Sequence, residues 1–136
     1  MNLNNITWTF ETVEEWLQIA ANVDRVMPRV GPAGYHSCTF MVIRSFFENL
    51  QAEIGEKPKF VPTSEQISIW ENVMLHWINL IDSAENKKIV WLHSCGMGWV
   101  RIGKKYGLSR QTVANRYERT IKALITELNR HDIKYS

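Results

Sequence analysis

The sequence predicts an all-α protein of about six helices, the last two of which form a helix-turn-helix. No stretch alternates strictly between apolar and polar residues with turn residues at its ends, as a half-buried strand would. Apolar residues recur instead at intervals of three and four, which places them on one face of a helix. Capping residues, prolines and glycines divide these stretches into separate helices.

The first predicted helix begins at a capping box. Thr12 precedes Glu15 at the spacing in which each side chain bonds a free backbone N–H at the helix start. Apolar residues then continue at helical spacing. The helix is expected to stop before Pro28, because the prolines and glycines of residues 28–35 predict a loop.

A second helix is predicted over residues 37–54, and residues 55–62 follow it as a linker. This linker is the expected boundary between two modules. The first module is an N-terminal helical scaffold over residues 1–57. The second is a helical module over residues 63–136, which contains the helix-turn-helix at residues 98–130.

Capping-box spacing also predicts the starts of the third and fourth helices. Thr63 stands three residues before Gln66, and Asp82 stands three residues before Glu85. The fourth helix is expected to cover about residues 83–95. The Gly-Met-Gly that follows ends it, since glycine adopts the left-handed conformation at a helix C-terminus without penalty.

The charge of the chain is unevenly distributed. Residues 1–83 carry 5 Lys and Arg against 10 Asp and Glu, whereas residues 84–136 carry 11 against 4. The overall formal charge of +2 conceals this division. An acidic N-terminal part followed by a basic C-terminal part favours a polyanion-binding module on a separate scaffold. The alternative is that the basic helix face is merely solvated, which is more common.

Five residue types at fixed offsets indicate a helix-turn-helix in the basic part. A small residue, Gly103, allows the second helix to cross the first, and Gly107 tolerates a positive φ in the turn. Leu108 fills the angle between the helices, Ser109 caps the second helix and Val113 anchors it to the core. An ordinary helical corner also favours Gly followed by Ser, but it does not explain the surrounding basic residues.

The two helices of this motif are expected over residues 99–106 and 109–130, and the polar face of the second is expected to contact DNA. Arg can form two hydrogen bonds with guanine, and Gln or Asn two with adenine, from the first turns of a recognition helix. Phosphate contacts position a protein without specifying sequence. The predicted base-reading residues are Arg110, Gln111 and Asn115. The predicted phosphate contacts are Arg101, Lys104, Lys105, Thr112, Arg116 and Arg119.

Residues 84–128 resemble region 4 of sigma-70-type factors and the regulators that share it. The apolar helix at residues 88–92, the Gly-Met-Gly-Trp turn and the segment 102–109 carry the resemblance. The usual small residue at position 103 of this sequence is Ala, so Gly103 is a departure from the pattern. The resemblance implies binding of DNA.

The whole chain also resembles an uncharacterised helix-turn-helix family of alphaproteobacteria and their prophages. Trp-Thr-Phe-Glu-Thr-Val at residues 8–13 and Pro-Ala-Gly-Tyr-His-Ser at residues 32–37 carry this second resemblance. The family has no established activity to transfer, so it supports DNA binding and nothing further.

No catalytic, metal or cofactor site is expected. No nucleophile–base pair or paired carboxylate stands out, and the glycines at 31 and 34 lack the Gly-Lys-Ser/Thr of a phosphate-binding loop. The tripeptide His-Ser-Cys occurs at residues 36–38 and 93–95, which suggests a Cys2His2 metal site. On a helix, however, side chains two positions apart point about 200° apart, so burial is the simpler explanation. The tryptophans fall mostly on apolar stripes, which favours core packing over base stacking.

The expected function is sequence-specific binding of double-stranded DNA by a transcriptional regulator of phage or prophage type, and not catalysis. A DNA-packaging adaptor of the small-terminase kind and a protein-interaction module remain alternatives. A homodimer is expected, because one helix-turn-helix reads few base pairs, and a sigma-like reader could also contact RNA polymerase. A cytoplasmic protein is expected, because no apolar run approaches the ~20 residues of a membrane span and no signal peptide or disulfide framework is evident.

Overall fold

The structure is a computed structural model, and the part of the chain that it describes consists of residues 7–27, 43–47, 50, 54 and 58–131. This part contains six helical segments and no strand, so the predicted all-α class is confirmed. Residues 43–47 are helical, but the rest of the predicted second helix lies mostly outside the described residues. The predicted loop at residues 28–35 and the first His-Ser-Cys tripeptide also lie outside them.

Helix α1 spans Phe10–Val26 and begins three residues earlier than the sequence predicted. The predicted capping box at Thr12 and Glu15 is wrong. Thr9 is the N-cap, with an extended backbone, and its hydroxyl accepts a hydrogen bond from the Thr12 N–H at 3.3 Å. Thr12 therefore lies in the first helical turn, where its own hydroxyl is 2.8 Å from that of Thr9.

Helix α2 spans Ser64–Asn72 and begins at the predicted capping box. The Gln66 N–H donates to the Thr63 hydroxyl at 3.2 Å, and the Thr63 N–H donates to Gln66 Oε1 at 2.9 Å. One π-helical turn, Val73–Trp77, and one 3-10 turn, Ile78–Leu80, continue the helix. The capping box is confirmed, and the changes of helical winding after it were not predicted.

Helix α3 spans Ala84–Ser94, close to the predicted range, but its N-cap differs from the prediction. Ser83, not Asp82, caps the helix, because the Ser83 hydroxyl accepts a hydrogen bond from the Asn86 N–H at 3.3 Å. At the other end Gly96 has a φ of 101°, as expected for a glycine that terminates a helix.

Helices α4, Trp99–Tyr106, and α5, Arg110–His131, follow the predicted ranges to within one residue. Their apolar faces join one core with those of α1, α2 and α3. Three tryptophans are completely buried in this core. Trp16 is half-buried and stacks on Trp77, with 5.4 Å between the ring centroids. The buried tryptophans are Trp70, Trp77 and Trp91.

Two contacts join α1 and the residue before it to α5. The Trp8 N–H donates to Asn129 Oδ1 at 2.9 Å, and the Tyr117 hydroxyl donates to Glu14 Oε2 at 2.6 Å. Residues on both sides of the predicted boundary at 57–63 therefore pack together. The division of the chain into two modules stays a prediction.

A buried ion pair attaches the helical segment 43–47 to α1 and α2. The Asp24 carboxylate accepts hydrogen bonds from Arg44 Nε at 2.9 Å and from Trp70 Nε1 at 3.0 Å. The Arg44 guanidinium also lies 5.3 Å from the centre of the Trp70 ring. These contacts compensate the charge of Asp24, which would otherwise be costly to bury.

None of the described helices is both long enough and apolar enough to cross a membrane.

Candidate nucleic-acid interface

The connection between α4 and α5 is a tight turn built around two glycines. Gly107 has a φ of 69° and ends α4 in the left-handed conformation, which glycine adopts without steric cost. The Leu108 N–H turns back and donates to the Gly103 carbonyl at 2.8 Å. This hydrogen bond fixes the chain reversal between the two helices.

Gly103 is the point of closest approach within this turn. A Cβ atom added at Gly103 would lie 2.5 Å from the Leu108 carbonyl oxygen and 3.6 Å from the Arg110 nitrogen. Backbone atoms occupy this space, so even an alanine requires the two helices to shift. The glycine at position 103 therefore has a local structural reason.

The other three framework residues occupy the positions that the sequence predicted for them. Leu108 is half-buried between the helices, and Val113 is completely buried. The Ser109 hydroxyl accepts a hydrogen bond from the Thr112 N–H at 3.1 Å and therefore caps the start of α5. The Thr112 hydroxyl lies 2.8 Å from that of Ser109, so this predicted phosphate contact also takes part in the cap.

The predicted base-reading residues divide into a pair and a separate arginine. Gln111 and Asn115 are exposed one turn apart on α5, where Gln111 Nε2 donates to Asn115 Oδ1 at 3.1 Å. Arg110 instead borders an open groove between α4 and the start of α5. Its neighbours along this groove are Gly98, Trp99, Val100, Arg101 and Lys104.

The predicted phosphate contacts lie on both sides of the Gln111–Asn115 pair. On the α4 side, Arg101, Lys104 and Lys105 are all exposed. On the α3 side, Arg119 lines a second concavity that also contains Asp82 and Asn86. Lys104, Arg110 and Arg119 form no ion pair with any described residue, so their charges are available to a ligand.

Arg116 differs from the other predicted phosphate contacts, because its guanidinium forms an ion pair with the Glu85 carboxylate at the start of α3. Both side chains are only partly exposed. Any phosphate that binds Arg116 would have to compete with this carboxylate. Sequence reasoning missed the pair, since the two residues are 31 positions apart.

Glu118 is a polar residue of the α5 surface that sequence reasoning did not select. It lies three residues beyond Asn115, on the same exposed side of the helix, and Lys122 Nζ is 2.8 Å from its carboxylate. The Lys122 hydrogen bond and positive charge lower the pKa of Glu118 below its ordinary value. The sequence signal that could have identified Glu118 is its spacing of seven residues from Gln111, which places the two side chains on the same face of a helix.

Comparison with known proteins gives a family but no activity. Residues 25–124 match DUF6362, a domain of unknown function, and this match covers about three quarters of the chain. The chain belongs to the DUF6362 family. The DUF6362 match extends across the predicted boundary at 57–63 and includes α4, the turn and about the first two thirds of α5. No curated protein and no solved structure matches the chain.

An aromatic cluster supports α4 of this DUF6362 protein from inside. The rings of His93 and Trp99 are stacked with their centroids 3.9 Å apart, and Tyr117 lies 4.6 Å from His93. Burial lowers the pKa of His93, although the Glu14 carboxylate acts in the opposite direction. Burial and the hydrogen bond to Glu14 raise the pKa of Tyr117, so its hydroxyl stays a donor. The cluster therefore holds the start of α4 against α3 and α5.

No three His, Cys, Asp or Glu side chains among the residues that the structure describes are grouped so that they could hold a metal ion. Cys95 belongs to the second His-Ser-Cys tripeptide and is buried, and this burial raises the pKa of its thiol to about 12. A protonated thiol is a poor metal ligand and nucleophile. In the described part of the chain, Cys95 is therefore a residue of the hydrophobic core.

Proposed function

We propose that this protein binds double-stranded DNA sequence-specifically, with α4 and α5 as a helix-turn-helix and α5 as the recognition helix. The observation that carries the proposal is the placement of Lys104 and Arg119, which form no ion pair with a described residue, on opposite sides of the exposed Gln111–Asn115 pair. A recognition helix in the major groove needs hydrogen-bonding groups at the base edges and positive charges toward the phosphates of the two strands.

The residues of the interface have different roles in this proposal. Gln111 and Asn115 contact base edges, and Arg110 reaches guanine from the first turn of α5. The cations of α4 contact one phosphate strand and Arg119 contacts the other. The close approach at Gly103 supports the proposal, because it holds the two helices at a fixed angle to each other.

The biological setting that we propose is transcriptional regulation of phage or prophage type in the cytoplasm. The resemblance of the sequence at residues 84–128 to sigma-70 region 4 is the basis for a role beside RNA polymerase. The acidic residues 1–83 make a poor DNA surface and therefore suit contacts between two copies in a homodimer, or with the polymerase.

The salt dependence of binding tests the proposal. If about 5 phosphates are neutralised, the logarithm of the association constant for a duplex should fall against the logarithm of salt concentration with a slope of about −4 to −5. Fluorescence anisotropy with a labelled duplex between low and physiological salt measures this slope. Lys104→Ala should reduce its magnitude by about 1.

Lys59→Ala is the matched control, because Lys59 is an exposed lysine outside α4 and α5. This variant should leave the slope unchanged. Absence of binding at low salt, or binding that does not respond to salt, would contradict the proposed function. Assembly into a ring of many subunits would favour a DNA-packaging adaptor instead.

A further inference from the structure

We propose that Glu118 is a specificity-determining residue of α5, which accepts a hydrogen bond from the exocyclic amino group of a cytosine in the major groove. The inference rests on the proposed DNA binding and adds to it a base preference that neither Gln111 nor Asn115 supplies.

Gln111, Asn115, Glu118 and Lys122 follow one another at intervals of four, three and four residues, and all four are exposed. Such spacing places side chains along one face of a helix. At a rise of 1.5 Å per residue, Gln111 and Glu118 are separated by about 10 Å along α5, which corresponds to about three base-pair steps. Glu118 can therefore face a different base pair from the two amides.

The chemistry of the carboxylate determines which base edge it can face. An ionised carboxylate only accepts hydrogen bonds, whereas the side-chain amides of Gln111 and Asn115 both donate and accept. In the major groove only cytosine N4 and adenine N6 donate, and guanine and thymine present acceptors. The adenine amino group adjoins the N7 acceptor, which repels a carboxylate, so cytosine is the better partner.

Lys122 acts as a positioning residue for Glu118. Its ammonium group lies 2.8 Å from Glu118 Oε1, which orients the carboxylate and leaves the second oxygen for a base. Glu118 lies among the cations of the interface, so its negative charge also repels the phosphates of DNA that lacks the correct base. Glu118 should therefore weaken binding to unrelated DNA while it strengthens binding to the correct site.

Selection of bound duplexes from a randomised pool, with the full-length protein, tests this role. The wild type should select cytosine at one position, and Glu118→Ala should reduce that preference about 5- to 150-fold. The same variant should bind an unrelated duplex about two- to fivefold more tightly at low salt. Glu118→Gln should shift the preference from cytosine to adenine, because an amide matches adenine N6 and N7.

Glu65→Ala is the matched control, since Glu65 is an exposed carboxylate in the first turn of α2 and its loss changes the net charge equally. It should alter no base preference. An unchanged preference at every position in Glu118→Ala, with folding verified by thermal melting, overturns the inference while DNA binding stands. A wild type that binds no duplex overturns the proposed function, and the inference fails with it.

Discussion

Gly103 determines how closely α5 approaches α4. The space into which a Cβ would project is occupied by the Leu108 carbonyl oxygen, 2.5 Å away. An oxygen atom of the backbone cannot rotate away as the end of a side chain can. A substitution at Gly103 therefore changes the angle between the helices and does not merely displace a side chain.

The variant Gly103→Ala should consequently lose both stability and DNA affinity. Overpacking of this kind costs about 1–3 kcal/mol of unfolding free energy, and the altered helix angle misaligns α4 with respect to α5. Thermal melting and duplex binding measure the two effects. Gly98→Ser is the control, because a Cβ at Gly98 meets no atom within 4 Å and serine is favoured at the N-cap position that Gly98 occupies. If the variants at Gly103 and Gly98 have the same melting temperature and the same affinity for the duplex, the close approach at Gly103 is not important for stability or binding.

The residues proposed to read the base sequence should respond to substitution differently from those proposed to contact phosphates. Arg110→Ala or Gln111→Ala should relax sequence preference and cost about 1–3 kcal/mol of binding free energy at the correct site. Lys104→Ala should weaken binding to all duplexes about equally, since a phosphate contact carries no sequence information. Competition between the selected duplex and an unrelated one distinguishes the outcomes. A changed preference in Lys104→Ala without one in Arg110→Ala would reverse the assignment.

Local residue patterns could be predicted from the sequence, and distant pairings could not. The positive φ of Gly107, the cap at Ser109 and the burial of Val113 depend on neighbours within a few positions, and each agrees with the sequence prediction. The ion pair of Arg116 joins two helices, and no local rule indicates that α5 presents this arginine to Glu85.

At the scale of whole elements, the start of α1 shows how tertiary contacts select between two similar caps. Thr9 and Thr12 are both suitable N-cap residues. Phe10 packs with its ring centroid 6.3 Å from that of Tyr117, and Trp8 is buried beside Trp77. These contacts with distant elements favour an earlier helix start, which the sequence pattern alone did not indicate.

The junction of α3, α4 and α5 should make stability depend on pH through His93. Its pKa is lowered by burial in the folded state, so the unfolded chain binds a proton more readily. The contribution of His93 to stability is therefore complete above its ordinary pKa of 6.5 and is lost as pH falls through the lower, folded-state pKa. The wild type should consequently melt at a lower temperature at pH 5 than at pH 7.

The variant His93→Gln should show a smaller loss of melting temperature between pH 7 and pH 5 than the wild type, even though it also loses the ring stacked on Trp99. His76→Gln is the matched control, because His76 is exposed at the end of the π-helical turn and should leave the pH dependence unchanged. If His93→Gln retains the full pH dependence, other groups are responsible for it.

For the whole molecule, the all-α class and the order of the helices could be predicted because each helix carries its own apolar periodicity and caps. The way in which the helices pack against one another could not be predicted. The contacts of Trp8 with Asn129 and of Glu14 with Tyr117 join residues more than 100 positions apart. Helical periodicity shows that a face is buried, but it does not show which other helix covers it.

The last prediction is that the protein acts as a homodimer. One recognition helix contacts only a few base pairs, so specific regulators commonly place two copies on half-sites about 34–36 Å apart, one helical turn of DNA. Residues 1–83 are acidic and therefore unfavourable for contact with phosphates, whereas α4 and α5 form the proposed DNA surface. The contact between copies should consequently lie in the acidic part. Sedimentation at micromolar concentration should therefore give twice the chain mass of 15.9 kDa without DNA, and two chains per duplex when DNA is present. A species of 15.9 kDa without DNA, together with one chain per duplex when DNA is present, would contradict the dimer. A single recognition helix would then have to supply all of the sequence specificity.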